Sequence, residues 1–481
     1  MNSLYLSAPE VTCFAWSATD NDAFIPEHWA MEGLMQLEES MVVANLVHRD
    51  FQNVIANFGD TVNTRRPGEF KIRRKTDATT TLDKQDAKST NVPVVLNQWF
   101  YNSFVIKDGE QSMSFKDLVA VYLVPSMRTI ARSVDRSVLG HFHQFLSTPT
   151  NRSGRLLNLA SSTSHEVVLD AREKLNRRNA PLDAQRHLVL SAMSETALLQ
   201  NTMFIKAMER GDGGEALENA RLGKILGFNT WLAQNVPYCD LLSADTETGT
   251  LTAGQAAGVT LAKADTGLCT ITGKEAVKGS YVTIAGDDQP KWITDVTAST
   301  DTTGITVNEA LKYTVLTSAV ITLFVEWTMH ATQYEVGHVG VMNVASGYTN
   351  DPQVGQLVSF GDTTGTRHTY TIIEVEAGTT GWDIMLDRPL EKIVASGATA
   401  FPGPAGSFNL AFHREAMALV TRPLAVPAGA LGVLSGVADY KGIGMRITMQ
   451  YDIDAGGTVV NCDILAGIKQ LDANLGVVML G

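Results

Sequence analysis

Few side chains in this 481-residue chain stand in patterns that chemistry requires. His141 and His143 flank Phe142 in a stretch of helical spacing. Two residues apart, they project on different faces and are poorly placed to share a metal ion, so core or interface histidines are expected. Asp287, Asp288, Asp295 and Asp301 form a loose acidic group. Calcium loops need tightly fixed ligand spacing and a turn glycine, so a solvated acidic face is the simpler expectation. Cys13, Cys239, Cys269 and Cys462 lie far apart, with no Cys-x-x-Cys pair and no histidine at zinc-ligand spacing. They read as reduced, intracellular thiols. The phosphate loop, the dinucleotide-binding glycine pattern, the zinc-protease His-Glu-x-x-His and the nucleophile-elbow Gly-x-Ser-x-Gly do not occur. The expectation is a protein that is not an enzyme and has no catalytic residue, no cofactor and no metal site.

One charge pattern does stand out. Arg65, Arg66, Lys71, Arg73, Arg74 and Lys75 fall within eleven positions, although the chain carries a net charge of −13. Trp99, Phe100, Tyr101 and Phe104 follow on what reads as the returning strand of a hairpin. The cluster suits attachment to an acidic neighbour, with charge steering and registering the contact. A solvated strand edge, whose cations discourage wrong pairing, is the plainer alternative. Nucleic-acid binding by the cluster fits less well, because the interleaved aromatics of single-strand binders are missing. Trp99, Phe100 and Tyr101 are therefore expected to pack against a subunit, and with the basic residues they form the predicted intersubunit contact.

These residues must be positioned by a large, ordered protein. The length exceeds the range in which one core keeps growing, so two or more domains are expected. Hydrophobic residues at 44% against 19% charged support packed cores. The acidic balance argues against a surface that grips nucleic acid throughout. The opening MNSLYLSAPEVTCFAW lacks the basic and apolar regions of a signal peptide, and no apolar run suits a membrane span.

Along the chain, residues 24–57 carry apolar positions at helical spacing around Leu34, Leu37, Met41, Leu46 and Val47, as an extended arm with one short helix would. Two strand-prone segments around the polar DATTTLDKQDAKST predict a long β-hairpin within 58–113. From Ser114, a plausible N-cap, a long helix is expected through Phe145, kinked or broken by Pro125. A helix at 164–177, a strand at 186–192 and a short helix from near Ser194 follow. Residues 241–405 are rich in Thr, Gly, Val, Ala and Asp, with short strand patterns separated by turns; 8 Lys and Arg against 18 Asp and Glu give this stretch −10 of the total charge. An inserted all-β unit, one barrel with extra strands or two small modules, accounts for the change of composition at both ends. Beyond it, NLAFHREAMALVTRPL reads as a helix, and GMRITMQYDID and TVVNCDILAGIKQL as strands.

This order of elements resembles the tailed-phage capsid fold first defined for phage Hong Kong 97, over nearly the whole chain. FIPEHWAMEGLMQLEESMVVANLVHRDF followed by GDTVNTRRPGEFKIRR, and the late FNLAFHREAMALVTRPL followed by MRITMQYDIDAGGTVVNCDILAGIKQL, are similar to podovirus-type coat proteins with an inserted β domain. The resemblance implies an α+β fold with five parts. These are an N-terminal arm (1–57), an extended hairpin loop (58–113), a peripheral domain with a spine helix (114–192), an axial domain (193–240 and 406–481) and an acidic β insertion (241–405). It implies a major capsid protein that self-assembles as hexamers and pentamers of an icosahedral shell in the host cytoplasm and resides in the virion. Its implied partners are a separate scaffolding protein, a portal protein, non-specifically packaged double-stranded DNA and a decoration or cement protein, with no membrane. Lys84 and Lys88 fall near the hairpin tip, where some relatives cross-link covalently, although lysines are common in such tips. Two other functions stay open: a nanocompartment shell of the same fold, and a soluble β-rich carbohydrate-binding protein or hydrolase. Nothing in the sequence pairs the carboxylates that glycoside hydrolysis would need.

Overall fold

The computed structural model describes residues 26–49, 58–66, 72, 84, 90–109, 119–145, 164–201, 222–239, 246–261, 269–271, 280–296, 304–307, 310–311, 313–324, 327–330, 332–345, 351–361, 367–378, 381–403, 406–426, 433–440, 443–454 and 456–481. Ser114, His143's side chain, Lys88 and Asp301 lie outside them.

Helix α1 (Pro26–Ser40) puts Trp29, Leu34 and Leu37 on one fully buried face and leaves Met31 and Met35 on the other. The buried face and the following Met41, Val43, Ala44 and Val47 join the main hydrophobic core of this same chain. Residues 26–48 thus pack into the core through the short helix that the apolar spacing predicted. The longest helical segment among the described residues is built from a π turn at Val119–Leu123 and helix α2 (Val124–Gly140), in which Pro125 occupies the first turn, where no intrahelical N–H is needed. Pro125 therefore marks the start of the α-helix, and Met127, Ile130, Val134 and Val138 recur along its buried face. A 3₁₀ turn ends it at Phe145. Helices α3 (Ser164–Arg177) and α4 (Ala192–Leu199) lie where the spacing predicted.

Strands β1 (Thr61–Arg66) and β2 (Thr90–Val95) form a two-stranded antiparallel pair; β3 (Gln98–Lys107) leaves it for another sheet. Next come β4 (Arg186–Leu190), β5 (Lys224–Ile225), β6 (Phe228–Leu232) and β7 (Tyr238–Cys239). Two six-stranded sheets follow in tandem. The first holds β8 (Thr246–Leu251), β9 (Cys269–Ile271), β10 (Tyr281–Ile284), β11 (Asp287–Val296), β12 (Ile305–Val307) and β13 (Val320–Phe324). The second holds β14 (Trp327–Thr328), β15 (Met342–Ala345), β16 (Leu357–Gly361), β17 (Arg367–Ala377), β18 (Gly381–Leu386) and β19 (Thr399–Pro402). Each has its own hydrophobic cluster. The chain closes with β20 (Gly406–His413), β21 (Met417–Arg422), β22 (Val433–Tyr440), β23 (Ile443–Asp452), β24 (Gly457–Gln470) and β25 (Gly476–Leu480).

Residues 409–424 are two strands joined by a 3₁₀ turn at Arg414–Ala416, where a helix was expected. The cause is burial on both faces. In β20, Phe408, Leu410 and Phe412 enter the main core while Ala411 enters a second core under α3. A continuous apolar run of this kind does not distinguish strand from helix. Asn409 on the same strand accepts the Ser191 N–H (2.8 Å) and donates to Ser194 Oγ (2.8 Å), fixing the junction of β4 and α4.

Candidate assembly surface

The hairpin is anchored at its base. Val94 and Leu96 pack with Val420, Leu424 and Leu465 in a small cluster of their own, and Val62 leans against it. The register runs from Thr61 opposite Val95 to Arg66 opposite Thr90. Arg65 and Arg66 therefore stand on β1 opposite Asn91 and Thr90. Lys71, Arg73, Arg74 and Lys75 lie outside the described residues. Lys84 is exposed.

Past Leu96 the chain pairs with β24 in antiparallel register, Trp99 opposite Leu465 and Tyr101 opposite Asp463. Alternation along β3 then separates two faces, as a strand's period of two requires. Phe100 and Phe104 turn inward against the main core, Phe104 stacking on Tyr122 with ring centroids 6.0 Å apart. Trp99 and Tyr101 turn outward and remain 48% and 69% exposed. Of the three predicted aromatic contacts, two are therefore available to a partner and Phe100 belongs mainly to the subunit's own packing.

The outward face is held by a polar network the sequence reading did not find. Asp463, fully buried, accepts Arg446 Nε at 3.0 Å on one oxygen and Arg446 Nη2 on the other. Asn461 donates to Asp463 (3.3 Å) and accepts from Ser103 Oγ (2.6 Å). Burial pushes the Asp463 carboxyl up, against the opposing pull of Arg446, Trp99 and Asn461. Trp99 stands on this face with its ring in contact with solvent, the form of residue that concentrates binding energy at interfaces. No local spacing links Trp99, Arg446 and Asp463; only the β3–β24–β23 register does.

A cavity of about 970 Å³ opens beside this face, lined by Phe58, Trp99, Tyr101, Ile373, Met385 and Arg388 among others. Its far wall is the second six-stranded sheet. Arg388 forms a buried pair with Asp387 (2.9 Å) and lies 4.5 Å from the centre of the Tyr370 ring.

For catalysis or metal binding the described residues offer little. His141 is buried, its Nδ1 2.8 Å from the Ser137 carbonyl. Asp287 is buried and paired with the equally buried Lys291, so it does not belong to an open acidic face. Burial pushes the Cys462 thiol up to about 12, which leaves it inert as a nucleophile. Among the described residues, no group of three or more His, Cys, Asp or Glu could hold a metal ion, and no helix is long and apolar enough to cross a membrane.

No protein-family model matches the chain, and no curated protein matches it. Solved structures similar to it include one of Mycobacterium phage Che8, 11% identical over 91% of this chain and 90% of that one, with a TM-score of 0.39. The capsid structure of cyanophage P-SCSP1u is 13% identical over 90% of each chain, with a TM-score of 0.39. The mature-capsid asymmetric unit of bacteriophage PhiM1 is 10% identical over 90% of this chain and 83% of that one, with a TM-score of 0.38.

Proposed function

We propose that this chain is the major capsid protein of a tailed bacteriophage, a structural subunit whose work is to cover its neighbours. The observation that carries the reading is the β1–β2 hairpin with its continuation into β3. Two strands alone are marginal in water, yet this pair extends past its anchoring cluster and is followed by Trp99 and Tyr101, which face outward and stay exposed. Such an element gains its full stability only against another surface. Shell subunits bury obligate contacts of about 2,000 Å² or more, and a hairpin laid across a neighbour supplies them. In this reading hexamers and pentamers of the chain close into an icosahedral shell around double-stranded DNA. A separate scaffolding protein guides assembly in the host cytoplasm, a portal occupies one vertex and a cement protein binds outside.

The basic cluster Arg65, Arg66, Lys71, Arg73, Arg74 and Lys75 is assigned to the same contact, facing acidic surface on the next subunit. Replacing Arg73 and Arg74 by Glu tests this. Substitutions away from buried features change stability by about 0.5 kcal/mol or less, whereas like charges across an interface cost several. A loss of about 1.4 kcal/mol, tenfold per contact, repeated around a shell stops growth. The double variant is expected to melt as wild type and sediment as monomers or small oligomers. Normal assembly at low salt would reduce the cluster to a solvated edge.

A further inference from the structure

The two six-stranded sheets between β7 and β20 share a set of backbone contacts displaced by one fixed interval. In the first, Gln255 and Val315 exchange both backbone hydrogen bonds, each 2.8 Å; 79 residues on, Tyr334 and Val394 do the same at 2.9 and 3.0 Å. Gly258 N–H donates to the Leu311 carbonyl at 2.7 Å and Gly337 N–H to that of Leu390 at 2.7 Å. Leu311 and Leu390 return a bond to Val259 and His338, and Ser318 and Gly397 donate to Leu251 and His330. Every one of these positions is offset by 79. The backbone signs agree too: φ is +86° at both Gly258 and Gly337, and +61° and +67° at Ser318 and Gly397.

Strand order repeats with them. The first sheet runs β12-β11-β10-β13-β8-β9, and the second runs β15-β18-β17-β16-β19-β14, which an isolated bridge between Met329 and Val344 closes into a ring. Going round the ring, corresponding strands follow in the same order. In each copy the entering and leaving strands are paired neighbours, Thr246 with Phe324 and Trp327 with Ala400, so each can be spliced into a chain without separating its ends.

The copies differ in what they hold. Gly140, the last residue of α2, lies against the second: a Cβ there would fall 2.5 Å from Asp387 Oδ2 and 2.8 Å from Thr371 Oγ1. Arg136 donates to the Ile373 carbonyl at 3.2 Å, Tyr238 N–H donates to that of Gly355 at 3.0 Å, and Leu357 is part of the main core. Seventy-nine residues earlier, the places of Thr371, Asp387 and Arg388 are taken by Trp292, Asn308 and Glu309, which cannot reproduce the buried Asp–Arg pair. Each copy has a hydrophobic cluster of its own, but Leu357 of the second also joins the main core, which takes no described residue of the first.

We infer that residues 246–324 and 327–402 are tandem copies of one barrel with divided roles: the second is a structural part of the core that positions helix α2, and the first is an autonomous module the core does without. This inference is independent of the capsid reading, because its readout is folding. The test is the full chain against a variant in which Asp245 is joined to Val325 through Gly-Ser, followed by thermal melting and native-state hydrogen exchange. The shortened chain is expected to melt cooperatively within about 4 °C of the corresponding wild-type transition, with protection of α2, β16 and β17 unchanged. Loss of the cooperative melt, or of protection in α2, overturns the inference. In the full-length chain, Gly140→Val should speed exchange at 369–373 and in the last turns of α2 by about tenfold or more and leave 281–323 as in wild type. Faster exchange in 281–323 as well would show that the two copies are one cooperative unit and overturn the division.

Discussion

Asp135 shows how a single side chain joins two parts of the subunit. It lies on the buried face of α2 and accepts the backbone N–H groups of Val42 and Ala44, each at 2.9 Å, so the segment after α1 is tied to α2. Burial pushes its carboxyl up to about 6 from the ordinary 3.8, with the backbone donors only partly opposing. The folded state then holds this proton more tightly than the unfolded chain does. Its contribution is fully present below about pH 4 and is lost as pH rises through about 6, about 3 kcal/mol in all. Asp135→Asn cannot titrate, so the stability difference between wild type and variant should shift against wild type by about 3 kcal/mol between pH 4 and pH 7 in urea unfolding; a constant difference would contradict the assignment. Arg446→Met should cost about 3 kcal/mol by leaving Asp463 buried without its cation, again measured by urea unfolding. The apolar spacing of α2 was legible in the sequence, but neither Asp135's partners nor Arg446 with Asp463 was. Their contacts span 91 to 93 and 17 residues, distances no local pattern encodes.

Elements were readable where one face is buried and opaque where both are. The helix at 164–177 and the strands at 281–284 and 357–361 carry clean periodicity or β-branched runs between turn residues, whereas β20 and β21 are buried on both sides and resembled a helix. The repeat of 79 escaped because side-chain identity within it is thin: Gly258 and Gly337, Leu311 and Leu390, Val315 and Val394, Ala319 and Ala398 are among the few matches. The aromatic segment was legible as a strand but not as one outside the hairpin: β2 returns against β1, β3 pairs with β24, and the direction of each ring required that register. That register separates two predictions. Tyr101→Ser removes an exposed ring and should leave the melting temperature unchanged while weakening assembly. Trp99→Ala removes a ring that is about half buried and should cost about 1 kcal/mol of stability. Thermal melts paired with sedimentation distinguish them, and equal destabilisation by both would mean that Tyr101 is packing and not contact surface.

At the scale of the whole molecule, a core of sheets and helices is accompanied by the β1–β2 pair and by two six-stranded sheets that lie between β7 and β20 in the chain. The composition break near residue 241 precedes the first of these sheets, while the division between the two sheets had no marker in composition. In the proposed shell, the β1–β2 hairpin and the outward aromatic face of β3 gain cover from further copies. The most direct measurement is sedimentation with electron microscopy of the chain co-expressed with the scaffolding protein. The account predicts closed, uniform shells in the megadalton range. A single species near the 52.0 kDa of one chain under every condition would contradict it.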